Sequence, residues 1–214
     1  MKKHKKRKNK LTNIILEHIK NNAKDYFILS IIFIIGVLAG VFFINQTTEQ
    51  QKGEISSYIN TFITSLKEKK DIDSIGLLKD SIIKNITLAL ALWFIGSTVT
   101  LIPLIYGIVA FRGFCLGYTI SAIIAVLGST KGLLFSITTI FFQNILFIPA
   151  LLAIALSGIK LYKSIIKNRK KDNIKAEIYR HSIFSTFMGT MLIGASLIEV
   201  YISSHLLNFF IGYM

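Results

Sequence analysis

Cysteine is almost missing from this chain: Cys115 is the only one in 214 residues, so no disulfide framework and no cysteine-based metal site can form within it. Histidine is as sparse. His4, His18, His181 and His205 stand far apart, with none of the spacings that hold a metal. There is no glycine-rich phosphate loop with its lysine, no HExxH pair and no nucleophile-elbow serine. Carboxylates are few, 11 against 25 lysines and arginines, and within the long apolar stretches Glu199 is the single acid. Acid and base work within a membrane needs at least two polar groups at matching depth. The reading is therefore a protein that is not an enzyme, with no cofactor, no metal and no small-molecule substrate. A net charge of +14 would ordinarily raise nucleic acid as a partner, but no nucleic-acid motif is present.

What is abundant is apolar sequence. Hydrophobic residues make up 52% of the chain and the mean hydropathy is +0.58, yet the charge is high, because the two are segregated along the chain. A helix needs roughly 20 apolar residues to cross ~30 Å of hydrocarbon. Tyr26–Ile44, Asn85–Phe111, Gly113–Thr130 and Gly132–Ile159 are free of charge, and His181–Ser204 contains only Glu199. No barrel-type alternation occurs, so each stretch must satisfy its backbone as a helix. The expectation is an all-α, polytopic membrane bundle of five transmembrane helices, in which membrane lipid is the first partner. The weakest of the five is Gly113–Thr130, bounded only by Arg112 and Lys131, which could instead be a re-entrant segment. No small-residue cleavage site stands after the first stretch, which reads as an uncleaved anchor.

Orientation follows from where lysine and arginine collect. Residues 1–25 carry nine of them, residues 160–180 carry eight against Asp172 and Glu177, and residues 45–84 carry six against six acids. The first two segments belong to the cytoplasm and the neutral loop to the outside. Five crossings satisfy all three loops and place the N-terminus inside and the C-terminus outside.

Two loop segments carry helical periodicity. Leu11, Ile14, Ile15 and Ile19 describe a short basic amphipathic lead-in to the first span. In the outer loop, Ile55, Tyr58, Ile59, Phe62, Ile63 and Leu66 have the spacing of one wide apolar helix face, which either lies on the membrane or receives an external partner. A further helix capped by Asp73 or Ser74 would run into the second span.

Within the spans, Gly36 and Gly40 form one GxxxG pair and Gly113 and Gly117 another, the pattern that lets membrane helices approach closely. Pro103 and Pro149 are expected to kink their helices. Gln143, Asn144 and Glu199 need polar partners. They serve either as interhelical glue or as the lining of a transport path, and a permease subunit is the alternative functional reading.

The run Phe111-Arg112-Gly113-Phe114-Cys115-Leu116-Gly117-Tyr118, together with Phe142 to Ala150 around Gln143, Asn144 and Pro149, resembles the stage II sporulation protein M family across nearly the whole chain. Relatives outside sporulation tend to carry a His-Gly pair and a glutamate before that proline; Gln143-Asn144 here points to the sporulation branch. The resemblance implies a non-enzymatic protein of the membrane between mother cell and forespore. It implies a scaffold for two peptidoglycan hydrolases, the stage II sporulation proteins D and P, during engulfment.

Overall fold

The computed structural model describes residues 20, 22–67, 74–98, 101–167 and 171–203, with side chains for all of these except 66, 67, 167, 171–173 and 203. The basic lead-in at Leu11–Ile19, the Asp73 cap and His205 lie outside the described residues, as does the side chain of Leu66. Among the described residues every regular element is helical. In chain order these are α1 (Ala23–Asn45), α2 (Glu49–Lys67), α3 (Ser74–Ser97), α4 (Ile102–Leu127), α5 (Ser129–Ser136), a π-helical turn (Ile137–Phe141), α6 (Phe142–Lys167), α7 (Lys171–Leu197) and a second π-helical turn (Ile198–Ser203).

Among the described residues four segments are long and apolar enough to cross a membrane: Ala23–Asn45, Ile102–Leu127, Ser129–Ile166 and Ile174–Ile202. The expected count of five is corrected to four. The missing span is α3, whose first half carries Lys79, Asp80 and Lys84 and so dilutes its apolar content. An outside C-terminus rested on an odd number of crossings and does not follow from four. The boundary placed at Arg112 is also corrected. Charge does not end a helix; a backbone break does, and it falls between Ser97 and Ile102. Pro103 sits in the first turn of α4, where its missing N–H costs nothing, so it starts a helix instead of kinking one. Arg112 consequently lies well inside α4. Pro149 is internal to α6 as expected, and α7 begins ten residues before His181.

The two GxxxG pairs face each other. A Cβ placed on Gly36 would overlap the carbonyl oxygen of Ala110, and one on Gly40 that of Phe114. A Cβ on Gly113 would overlap the carbonyl of Phe33, and one on Gly117 that of Val37. Residue numbers rise together along this contact, so α1 and α4 run parallel with their backbones touching, and theirs is the most extensive helix pair in the fold. Gly96 and Gly158 make a second such approach between α3 and α6, where an added Cβ would stand 2.8 Å from the opposing Cα.

α6 is the central helix. Its Leu151, Ile154, Ala155 and Leu156 are buried among Ile105 and Val109 of α4, Leu92 of α3, and Leu192 and Ala195 of α7. α3 runs antiparallel to α7, with Ser81 beside Glu199 at one end and Trp93 beside Ser182 at the other. The outer faces stay apolar: Phe27, Ile35, Leu38 and Phe42 of α1 are all more than half exposed. A helix apolar on both its buried and its exposed side belongs in hydrocarbon. The protein is a membrane protein.

α2 is held at the bundle end opposite Lys160, Lys163 and Arg180. Its start is a capping box, in which the Thr48 N–H donates to Gln51 Oε1 at 3.1 Å while the Gln51 N–H donates to Thr48 Oγ1 at 3.4 Å. Ile59 and Ile63 then pack on Ile123 of α4 and Phe135 of α5. α5 itself folds back because Gly128 takes a φ of 80°, which a residue with a Cβ adopts only under strain.

The glycine contact yields a direct test. Gly36→Val and Gly117→Val should each destabilise the detergent-solubilised protein by about 1–3 kcal/mol, the usual cost of overpacking. Gly53→Ala in α2, where a Cβ would meet nothing within 4 Å, should leave thermal unfolding unchanged or raise its midpoint. Equal losses in all three would remove the special role of the α1–α4 contact.

Candidate functional site

Polar residues inside an apolar bundle must find one another, and here they do so at the bundle end nearer α2. Ser81 and Asn85 lie one turn apart on α3 and point at α7. Asn85 Nδ2 donates to Ser196 Oγ at 2.8 Å and to the Leu192 carbonyl at 3.2 Å. Both Asn85 and Ser196 are buried. Three residues further along the chain from Ser196, Glu199 receives two hydrogen bonds on one oxygen. The Ser81 hydroxyl and Gln143 Nε2, the latter at 2.7 Å, both donate to Glu199 Oε2. A single carboxylate thereby ties α3, α6 and the end of α7 together.

Two π-helical turns set this geometry. Ile137–Phe141 immediately precedes Gln143, and Ile198–Ser203 contains Glu199. A π turn inserts a residue into the helical register and rotates the residues beyond it, so it re-aims side chains; such turns recur at functional sites. Hydroxyl and amide side chains occupy carbonyls around the first turn. Thr138 and Thr139 donate to Phe135, and Asn144 Nδ2 donates to the Ile140 carbonyl at 2.8 Å. Asn144 is thus spent on its own helix and does not join Gln143 and Glu199.

Arg112 completes the group. Its guanidinium carbon lies 4.4 Å from the centre of the Phe147 ring, a cation–π arrangement that counts for more where water is excluded. The Glu199 carboxylate is within its electrostatic reach, although no ion pair to Arg112 forms among the described residues. The neighbours of Arg112 in sequence have different work. Gly113 and Gly117 admit α1, while Phe111, Phe114 and Tyr118 stack along α4, with centroids 6.5 Å and 6.1 Å apart, and meet Phe43 of α1 at 5.7 Å from Phe114.

A second polar contact, near the other end, involves His181, which is only 2% exposed. Its Nδ1 lies 2.9 Å from Ser157 Oγ and its Nε2 3.3 Å from the Trp93 carbonyl, so the ring accepts from the serine and donates to the backbone. Trp93 Nε1 donates in turn to Ser182 Oγ at 3.0 Å. In the sequence His181 and Asn85 stand only as span boundaries. The one signal of a further role is a polar side chain standing a turn inside an apolar run.

The apolar face expected on α2 divides in two. Ile59 and Ile63 face inward, Ile55 borders a groove with Ile44 and Ala122, and Tyr58 and Phe62 point away from the bundle at 77% and 47% exposure. No group of three histidine, cysteine, aspartate or glutamate side chains that could hold a metal occurs among the described residues.

The polar cluster makes a quantitative prediction. In a double-mutant cycle, Glu199→Ala and Gln143→Ala should couple by about 0.5–2 kcal/mol of unfolding free energy, because they share a hydrogen bond. Glu199→Ala and Asn144→Ala should be additive within about 0.5 kcal/mol. Coupling of Asn144 as strong as that of Gln143 would contradict this geometry.

No curated protein and no solved structure matches the chain. The family of stage II sporulation protein M matches residues 29–204, from the first turns of α1 to the end of α7 and beyond. The matched range contains the glycine contact, Arg112 and the Glu199 cluster, and the chain belongs to the stage II sporulation protein M family.

Proposed function

We propose that this sporulation membrane protein is a non-enzymatic scaffold, which holds peptidoglycan hydrolases of the stage II sporulation D and P type in the membrane between mother cell and forespore during engulfment. The observation that carries the reading is α2. Its inward residues Ile59 and Ile63 pin it to the bundle, while Tyr58 and Phe62 are left as an exposed aromatic pair. Aromatic residues on a rigid element make effective anchors, since they offer large contact area at little conformational cost. α2 also sits at the end of the bundle opposite Lys160, Lys163 and Arg180, and basic loops are retained in the cytoplasm. On this reading Tyr58 and Phe62 face the wall side, where hydrolases act.

The permease alternative rests on Gln143, Asn144 and Glu199 lining a path. Against it stand the hydrogen bonds that close Gln143 and Ser81 onto Glu199 and turn Asn144 back on its own helix. An acceptor already held by two donors serves helix packing better than cargo.

Affinity purification from sporulating cells in mild detergent separates the two readings. Tyr58→Asp with Phe62→Asp should release the wall hydrolases while leaving thermal stability within about 0.5 kcal/mol, the usual effect of an exposed substitution. Gln143→Leu should retain them. Hydrolases that stay bound to the first variant and leave the second would reverse the assignment.

A further inference from the structure

At the basic end of the bundle, α6 and α7 together line a groove of about 560 Å³, within the roughly 300–1,000 Å³ range of small-molecule sites. Its lining changes character along its length. Lys160 and Arg180 stand at the mouth with Glu177, Ser157 lies deeper, and Ile183 and Phe187 form an apolar wall. From Glu177 to Phe187 is ten residues, or ~15 Å along the helix, a length that suits a charged headgroup joined to the upper part of an acyl chain.

The mouth keeps a cationic surplus, with Lys160, Lys163 and Arg180 standing against Asp25 and Glu177. Lys160 is half-buried and makes no hydrogen bond or ion pair among the described residues. Arg180 spends one nitrogen on Glu177 Oε1 at 3.0 Å, with its side chain 75% exposed, and the rest of its fork stays open for a phosphate. The wall is equally unsatisfied: Ile183 and Phe187 are 53% and 59% exposed, on the segment Ile174–Ile202 that is apolar enough to cross a membrane. A groove that is cationic at its mouth and apolar where it enters the spanning segment favours an amphiphile with an anionic head. A soluble acidic peptide would leave the wall facing nothing of its own kind.

We infer that this groove binds an anionic membrane phospholipid, with the phosphate held between Lys160 and Arg180 and an acyl chain along Ile183 and Phe187. The site lies at the opposite end of the bundle from the aromatic pair on α2 and does not depend on the scaffold reading.

The test is native mass spectrometry of the full chain in a neutral detergent, titrated with phosphatidylglycerol or phosphatidylcholine of matched chain length. The wild-type protein should retain phosphatidylglycerol in preference to phosphatidylcholine. Lys160→Gln with Arg180→Gln should weaken that retention about tenfold or more, and Lys160→Arg with Arg180→Lys should restore it. Lys163→Gln with Lys175→Gln removes as much charge from the same end of the bundle and should leave retention within about twofold, because neither lines the groove. Millimolar glycerol phosphate should not displace the lipid. The inference fails if Lys160→Gln with Arg180→Gln retains lipid as the wild type does. It fails too if Lys163→Gln with Lys175→Gln loses as much, which would mean diffuse surface attraction, or if phosphatidylcholine binds equally. Displacement by glycerol phosphate would make the groove a site for a soluble anion and would likewise sink the lipid assignment.

Discussion

The rest of the bundle hangs on the backbone contact between α1 and α4. In water two helices are driven together by burying apolar surface, but in hydrocarbon the lipid is as apolar as the side chains, and only close packing and polar contacts remain. Four glycines supply that closeness reciprocally, each facing a carbonyl that a methyl group would strike. Once α1 is laid parallel to α4, Phe33 and Leu29 are buried, and Arg112, next to Gly113 on the same helix, is fixed against Phe147 of α6.

The polar residues then act as the second source of cohesion. Glu199 is acceptable in an apolar setting because Ser81 and Gln143 donate to it and because Arg112 lies within electrostatic reach. The two π-helical turns bring the donors and the acid to one level, at the expense of regular helix geometry. Real helices give up regularity where a side chain must be re-aimed, and both departures here fall at this cluster. Hydrogen bonds of this kind contribute modestly one by one in membranes, so their larger effect is on which helix sits beside which.

The fold divides its surfaces by depth and by end. The outer flanks of α1 and α7 carry large exposed aliphatic and aromatic groups suited to lipid. One end carries α2 with Tyr58 and Phe62; the other carries Lys160, Arg180 and the ion pair between Lys163 and Asp25 at 2.7 Å. A pair open to water on its lysine side adds little stability.

The class of molecule is legible in the sequence, because long uncharged runs separated by lysine-rich segments leave a chain few places other than a bilayer. The glycine spacing is legible as well, although which pattern meets which is not: a GxxxG pair says that something comes close and is silent on the partner. The span boundary at Arg112 misleads, since a charge in a single sequence looks like an end, whereas a helix ends where its backbone turns, after Ser97. The partners of Glu199 cannot be read at all. Ser81 and Gln143 lie 118 and 56 residues away from it in the chain, and contacts at that separation have no local pattern. They exist only once helices have packed. The partition of apolar and charged residues along the chain was enough to choose the solvent. Which polar groups share a site had to wait for packing, because it depends on register between helices and on two π turns that no periodicity announces.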